Sequence, residues 1–350
     1  MKILIRGTNW IGDAVMTIPA MRELNRIFPD SQLTLWTRPW AEGIFRDADF
    51  VDEIITFDKK PRRLGPTLAE AEMLKKEKFD LTILFTNSFE SALVTRLAKI
   101  PRRIGFNKDL RGLLLTDPIA VPEWKGRAHE VFYYLELVKE TEIRILGTQS
   151  VGNTEPENRL EVSQGRLANA RTTLEKAGAD LSKPTVAIGP GSTNSRAKRW
   201  PAERFAAIAD LLDVDCNVVI LGVVDEQAVA AEVVKYARTT PIDLTGKTNL
   251  AEASAILAVA DLFISNDMGL AHVAAAVGTE TIVIFGPTND VTTRPFGVNS
   301  TVVRHDVECS PCMLRDCPID HRCMTGVSVD KVFEIATLRL HPASSIITFE

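Results

Sequence analysis

The chain has 350 residues, 45% hydrophobic and 25% charged, with a formal net charge of −5. That is water-soluble globular material long enough for two cores, and its acidic balance argues against a general binder of nucleic acid. No apolar run reaches the roughly 18 residues that a spanning helix needs, and no small-residue cleavage site follows the N-terminus, so a cytoplasmic protein is expected.

The first strand-like run, KILIRG, turns through Gly7 into a helical pattern that continues to Arg26. In dinucleotide-binding folds that turn carries GxGxxG, whose bare backbone admits a pyrophosphate. Here it holds Trp10 and Asp13, a carboxylate where a phosphate would otherwise sit. QLTLWT, VDEIITF, DLTILFT and RRIGF follow as strands, with helices predicted over 41–46, 68–78 and 88–98 between them. Short β-rich runs alternating with periodic helices imply βαβ units and a parallel sheet. Cations gather in this half: Lys59, Lys60, Arg62 and Arg63, then Arg102 and Arg103, then Lys108, Arg111, Lys125 and Arg127. They read either as solvated surface charge or as a docking surface for an anionic substrate.

The polar, turn-rich stretch 147–166 reads as a linker and divides the chain into domains at 1–165 and 166–350, with a last helix that can pack back on the first. The alternation then resumes with TVAIGP, a helix over 201–212, NVVILG, a helix over 226–237, PIDLTG, a helix over 250–258, DLFISN, a helix across 272–276 and TIVIFG. The expected fold class is α/β, two Rossmann-like domains facing across a cleft lined by the carboxyl ends of their strands.

Three strand ends in the second domain carry nucleotide-binding chemistry. After TVAIGP, a glycine turn leads to Ser192, Thr193 and Asn194, then to Lys198 and Arg199 at a helix entry. Hydroxyls, backbone N–H groups and a cation make a phosphate cradle; a surface loop with a chance lysine is the plain alternative. After DLFISN, Asn266 or Asp267 can cap the next helix, and Gly269 admits a ligand to its backbone. The start of that helix, Met268 to Leu270, favours a diphosphate, and His272 lies one turn inside. After VVILG, Asp225 and Glu226 suit ribose hydroxyls or act as caps. Together they predict a nucleoside-diphosphate ligand. Neither half pairs GxGxxG with an acid about 20 residues on, which speaks against a nicotinamide-dependent oxidoreductase.

Four of the five cysteines, Cys309, Cys312, Cys317 and Cys323, cluster in CSPCMLRDCPIDHRC. In a cytosolic chain that spacing fits a structural metal knot or four reduced thiols better than disulfides, while Cys216 in an apolar strand reads as core. The pairs Asp47/Asp49 and Asp213/Asp215 read as turn formers rather than Mg²⁺ ligands.

WIGDAVMTIPA, NSF at 87–89 with SALV after it, AKRWP at 197–201, SNDMGLAH and FGPT at 285–288 resemble, in that order from residue 1 to about 330, the ADP-heptose:lipopolysaccharide heptosyltransferases, and within them the heptosyltransferase II branch. The resemblance implies the GT-B architecture, with acceptor in the N-terminal domain, ADP-sugar donor in the C-terminal one, inversion at the anomeric carbon and no metal required for chemistry. It implies transfer of L-glycero-D-manno-heptose from ADP-heptose to the first heptose of heptosyl-Kdo2-lipid A. A relative acting on Kdo or a later heptose, another GT-B nucleotide-sugar enzyme such as an epimerase, and a non-catalytic ADP-sugar binder are the alternatives.

Carried onto this sequence, the resemblance makes Asp13 the general base and Lys198 the phosphate lysine. Ser192, Thr193, Asn194 and the segment Met268, Gly269, Leu270 surround the diphosphate, Glu226 takes the ribose, Asp267 touches the heptose, and His272 falls on a matching position. Met268 departs from the Ser or Thr that relatives often carry there. Acceptor selection falls to Thr8, Asn9, Trp10, Asn87 and Ser88. An anionic glycolipid acceptor implies weak, salt-sensitive attachment to the cytosolic face of the inner membrane through the first domain's Lys and Arg side chains, and domain closure over the donor.

Overall fold

The computed structural model describes residues 1–57, 64–193 and 195–341. The basic group Lys59, Lys60, Arg62 and Arg63 and the candidate ligand Asn194 lie outside those residues. The chain divides into two compact units, Met1–Arg159 and Leu160 onward.

The first unit holds β1 (Lys2–Arg6), β2 (Gln32–Thr37), β3 (Glu53–Thr56), β4 (Leu81–Leu84), β5 (Arg102–Phe106) and β6 (Asp117–Ile119), ordered β3-β2-β1-β4-β5-β6. The second holds β7 (Thr185–Gly189), β8 (Asn217–Ile220), β9 (Ile242–Asp243), β10 (Leu262–Asn266), β11 (Glu280–Phe285) and β12 (Ser300–Arg304), ordered β12-β11-β10-β7-β8-β9. Every neighbouring pair is parallel. Counted from its own first strand, each sheet reads 3-2-1-4-5-6, the doubly wound order with its switch point between strands 1 and 4. The expected α/β class is thus observed twice.

Central strands are apolar on both faces, as helices on both sides require: Ile3, Leu4 and Ile5 of β1 and Leu262, Phe263 and Ile264 of β10 are all fully buried. In the second unit Trp200 is buried, edge-on to Phe205 at 5.1 Å, with its indole N–H donating to the Val327 carbonyl at 3.0 Å. An Ala at either aromatic position would cost about 3–5 kcal/mol.

Several elements differ from expectation. The helical pattern to Arg26 is two helices, Ile11–Met16 and Ile18–Ile27, which meet at Thr17. The Thr17 hydroxyl bonds back to the Ala14 carbonyl at 2.6 Å, and Pro19 fits only a helix start, where its missing N–H is not needed. The helix Gln164–Lys176 begins inside the stretch read as linker. The helix Glu130–Leu146 was not anticipated; it buries Val131, Leu135, Leu137 and Val138 and docks on Ile18–Ile27. Its Glu142 is buried and accepts bonds from the Ser150 and Val151 N–H groups and the Thr148 and Ser150 hydroxyls. The last described helix, Val329–Leu340, packs on β10, β11 and the helix Ala202–Leu212 of its own unit.

Candidate active site

In the second unit, side-chain bonds join the loops leaving the carboxyl ends of β7, β8, β10 and β11, and one buried amide anchors the β7 loop. Asn266, the last residue of β10, is fully buried. Its Oδ1 accepts from the Trp200 N–H at 2.8 Å, and its Nδ2 donates to the carbonyls of Pro190 at 2.7 Å and Gly191 at 3.2 Å. One side chain thereby ties both ends of the glycine-lysine loop to the strand beside it.

Lys198 lies in the 3₁₀ turn Arg196–Lys198, and its ammonium is 2.7 Å from Asp267 Oδ2. The same carboxylate oxygen accepts from the Thr288 hydroxyl at 2.7 Å. Asp267 is 7% exposed at the side chain while Lys198 is 26% exposed, so the cation is the accessible member of the pair. Ser192 is buried, and Arg199 fixes the loop by donating to the Ser192 carbonyl at 3.0 Å.

Glu226 is buried behind this loop, accepting from the Val223 N–H at 3.0 Å and the Thr193 hydroxyl at 3.3 Å. Burial pushes its carboxyl above the ordinary range, opposed by those two hydrogen bonds. A Cβ at Gly191 would collide with this carboxylate, so the glycine is there for close approach. Gly189 likewise leaves room for the Met268 sulfur and the Phe263 ring, so Met268 fills a packing gap. Met268, the N-cap of Gly269–Ala276, makes no side-chain cap bond; Gly269 and Leu270 open that helix, and His272 is buried within it.

The cysteine-rich segment braces this cluster. Arg315 O accepts from the Ala197 N–H at 2.9 Å, and His321 Nε2 lies 2.6 Å from the Ala197 carbonyl. On the other side, the Met313 N–H donates to Pro287 O at 2.8 Å and the Ser310 hydroxyl to Gly286 O. One segment therefore holds the neighbours of both Lys198 and Thr288. Cys309 and Cys312 are exposed, Cys317 is half-buried and Cys323 is buried, all as free thiols. Among the described residues, no three His, Cys, Asp or Glu side chains are grouped to hold a metal ion. Burial, then the neighbouring cysteines, pushes the Cys323 thiol up.

In the first unit, the loops after the adjacent strands β1 and β4 share one sheet edge. Asp13 sits in the first turn of Ile11–Met16, half-buried and close enough to the buried Tyr134 phenol to help hold that phenol well above its ordinary value, after burial itself. Thr8 is buried. Asn9 is exposed, its Oδ1 accepting from Arg6 at 3.1 Å and Arg38 at 3.4 Å, and Trp10 is 58% exposed. The Asn87 amide donates to the Tyr133 hydroxyl at 3.1 Å and accepts from Arg111 at 3.2 Å. Ser88 spends its hydroxyl as N-cap of Phe89–Leu97, accepting from the Ser91 N–H at 3.2 Å.

The reading of the cationic segments as surface charge fails at Arg111. It is fully buried, donating to the carbonyls of Phe106 and Thr86 as well as to Asn87, and burial lowers its pKa to about 10. A buried cation persists where its donors are satisfied. Sequence reasoning named Asn266 only as a possible helix cap, whereas the N-cap is Met268 and Asn266 ties the loop instead. It gave no role to Thr288, the last residue of FGPT, and did not join Arg111, Asn87 and Tyr133 into one group.

Glycosyltransferase family 9 (heptosyltransferase) matches residues 68–322. The chain belongs to this family. It is 30% identical to the lipooligosaccharide heptosyltransferase 2 of Haemophilus influenzae, over 87% of this chain and 88% of that protein. It is 28% identical to the lipooligosaccharide heptosyltransferase 2 of Campylobacter jejuni, over 95% of this chain and 98% of that protein. Among solved structures it is similar to the E. coli ADP-heptose lps heptosyltransferase II, with a TM-score of 0.83 at 25% identity over 99% of this chain and 100% of that one.

Proposed function

We propose that this family 9 glycosyltransferase moves L-glycero-D-manno-heptose from ADP-heptose to the first heptose of the lipopolysaccharide inner core, heptosyl-Kdo2-lipid A, at the cytosolic face of the inner membrane. The observation that carries the reading is the Lys198–Asp267–Thr288 cluster at the switch point of the second sheet, with buried Glu226 beside it. A cation that is the exposed member of its pair is available to a diphosphate. In this reading the ADP-sugar occupies the second unit and the acceptor the first.

The chemistry follows from these groups. Asp13 accepts the proton of the acceptor hydroxyl while its oxygen bonds to the anomeric carbon. The bond from that carbon to the diphosphate breaks on the opposite face, and ADP leaves with the electron pair, which inverts the centre. Lys198, with Ser192 and Thr193, stabilises the growing negative charge on the diphosphate. Glu226 accepts from the ribose hydroxyls in exchange for its bond from Thr193. Asp267, kept in place by Thr288, accepts from a hydroxyl of the heptose.

The test is a discontinuous assay of purified protein with ADP-heptose and two acceptors, Kdo2-lipid A and its mono-heptosylated form. Turnover restricted to the mono-heptosylated acceptor is the expected result. Turnover on Kdo2-lipid A moves the enzyme to the preceding step, and silence on both removes the reading.

A further inference from the structure

Two of the most exposed large apolar side chains in the described residues lie three positions apart in the first unit: Leu110, 87% exposed, and Leu113, 88% exposed. Leu110 is the N-cap of the 3₁₀ turn Arg111–Leu114 and Leu113 its third residue, so one short turn exposes both. Leu110 has φ +61°, a left-handed conformation that leucine rarely adopts and that Asn or Gly would hold with less strain. The turn is nonetheless rigidly set, because Arg111 between the two leucines is buried and hydrogen-bonded to Phe106, Thr86 and Asn87. A strained, well-anchored turn that holds leucines outward has a surface role rather than a packing one.

The surroundings select the partner. Arg96 donates to the Leu113 carbonyl at 3.4 Å, Arg103 to the Leu114 carbonyl at 2.8 Å, and the Arg111 N–H bonds the Lys108 carbonyl at 3.1 Å. Arg96 and Arg103 thus border the leucines and Lys108 precedes Leu110 by two positions in the chain, against Asp109 in the turn and Asp117 near Arg103. Projecting apolar tips inside a basic border fit the boundary between headgroups and acyl chains of an acidic bilayer. The exposed Phe89 opens the helix that Ser88 caps, next to Asn87, which Arg111 holds.

We propose that the Lys108–Leu114 turn is a membrane-docking surface that inserts Leu110 and Leu113 into an anionic phospholipid surface and presents the Asn87 loop to a lipid-linked acceptor. Its purpose rests on the acceptor reading above. It replaces the purely electrostatic attachment expected from the sequence with an apolar anchor aided by charge.

The experiment is flotation of the full chain with phosphatidylglycerol/phosphatidylcholine vesicles and with phosphatidylcholine alone, comparing wild type, Leu110→Asn/Leu113→Asn and, as control, Val298→Asn at a 97% exposed site of the second unit. The double variant is expected to lose roughly tenfold or more of its partition coefficient on the acidic vesicles, while the control matches wild type and part of the wild-type binding survives high salt. Asn suits a left-handed φ, so an unchanged or raised melting temperature is expected and excludes misfolding as the cause. Equal flotation of wild type and double variant overturns the proposal, as does a wild type that ignores vesicles. Concentration-dependent dimerisation abolished by the double substitution would assign the surface to a second copy instead. Flotation needs no turnover, so a protein that floats but transfers no heptose removes the functional reading and leaves the docking surface standing.

Discussion

Replacing Asn266 by Asp changes one NH₂ group into an oxygen and almost nothing in volume. The Oδ1 that accepts from the Trp200 N–H at 2.8 Å is kept, but the group that donated to Pro190 O and Gly191 O becomes a third oxygen between two carbonyls. Two buried hydrogen bonds are worth about 1 kcal/mol each, and an unpaired buried acceptor costs about 1–3 kcal/mol more. The site is fully buried, so water cannot compensate, and the total is about 3–5 kcal/mol. For a unit of this size each kcal/mol moves the melting temperature about 2–4 °C. Calorimetric unfolding is therefore expected to show a drop of roughly 6–20 °C, at least as large as that of Asn266→Ala. Titration calorimetry with ADP should show weaker binding, because the Gly191 end of the donor loop is no longer tied. An Asn266→Asp protein with native melting temperature and native ADP affinity would refute the claim that this amide organises the site.

Other consequences follow from single groups. Asp13→Asn should lower kcat by about 10²–10⁴ with ADP affinity and melting temperature unchanged, measured under saturating donor and acceptor; near-native kcat would remove the base assignment. Lys198→Ala leaves Asp267 with Thr288 alone and should cost about 10²–10³ in kcat/KM, with much of the loss in kcat. His321→Ala frees the carbonyl of Ala197 and should raise KM for ADP-heptose more than it changes kcat, since it acts on the Lys198 turn through the backbone; an unchanged KM would deny the brace. Glu142 has its pKa lowered from 4.5 to about 2 by its four hydrogen-bond donors, against the effect of burial. A depressed carboxylate contributes stability that is fully present above the unfolded value and is lost as pH falls from about 4.5 toward about 2. The melting-temperature gap between wild type and Glu142→Gln should be widest near neutral pH and close across that window.

What was legible in the sequence was what local pattern controls. β1, β7 and β10 read plainly because a strand buried on both faces is a continuous apolar run, and glycine-rich strand ends announced Ser192 to Lys198 and Asp267. The edge strand β6, which contains Pro118, carries too little pattern to read, whereas β9, only two residues long, falls within the PIDLTG run. Asn266 escaped as a positioning residue because its partners stand 66, 75 and 76 positions away. Arg111 was misread because an arginine is rarely buried unless its donors are paired, and the carbonyls of Phe106 and Thr86 that pair it are not evident from the sequence. The linker was drawn too long because Gln164–Lys176 has a weak apolar stripe, burying only Ala170 and Leu174.

The repeated topology sharpens the question posed by a carboxylate in the first strand-helix turn. Strands 1 and 4 of each sheet are neighbours, and the chain order reverses between them, so the loops that follow them are held apart from helix packing and are free to vary. In the second unit those loops contain Lys198 and Asp267, a cation set against a buried acid. In the first unit the matching places contain Asp13 and Asn87, with the amide fixed by Arg111 and Tyr133. In the proposed reading the first loop supplies a carboxylate base and the second a cationic diphosphate site, and one loop design does not serve both demands. On that reading a shared topology with aspartate in one first turn and lysine in the other meets both, and the chemical difference between the units lies in a handful of loop residues while the sheets are alike.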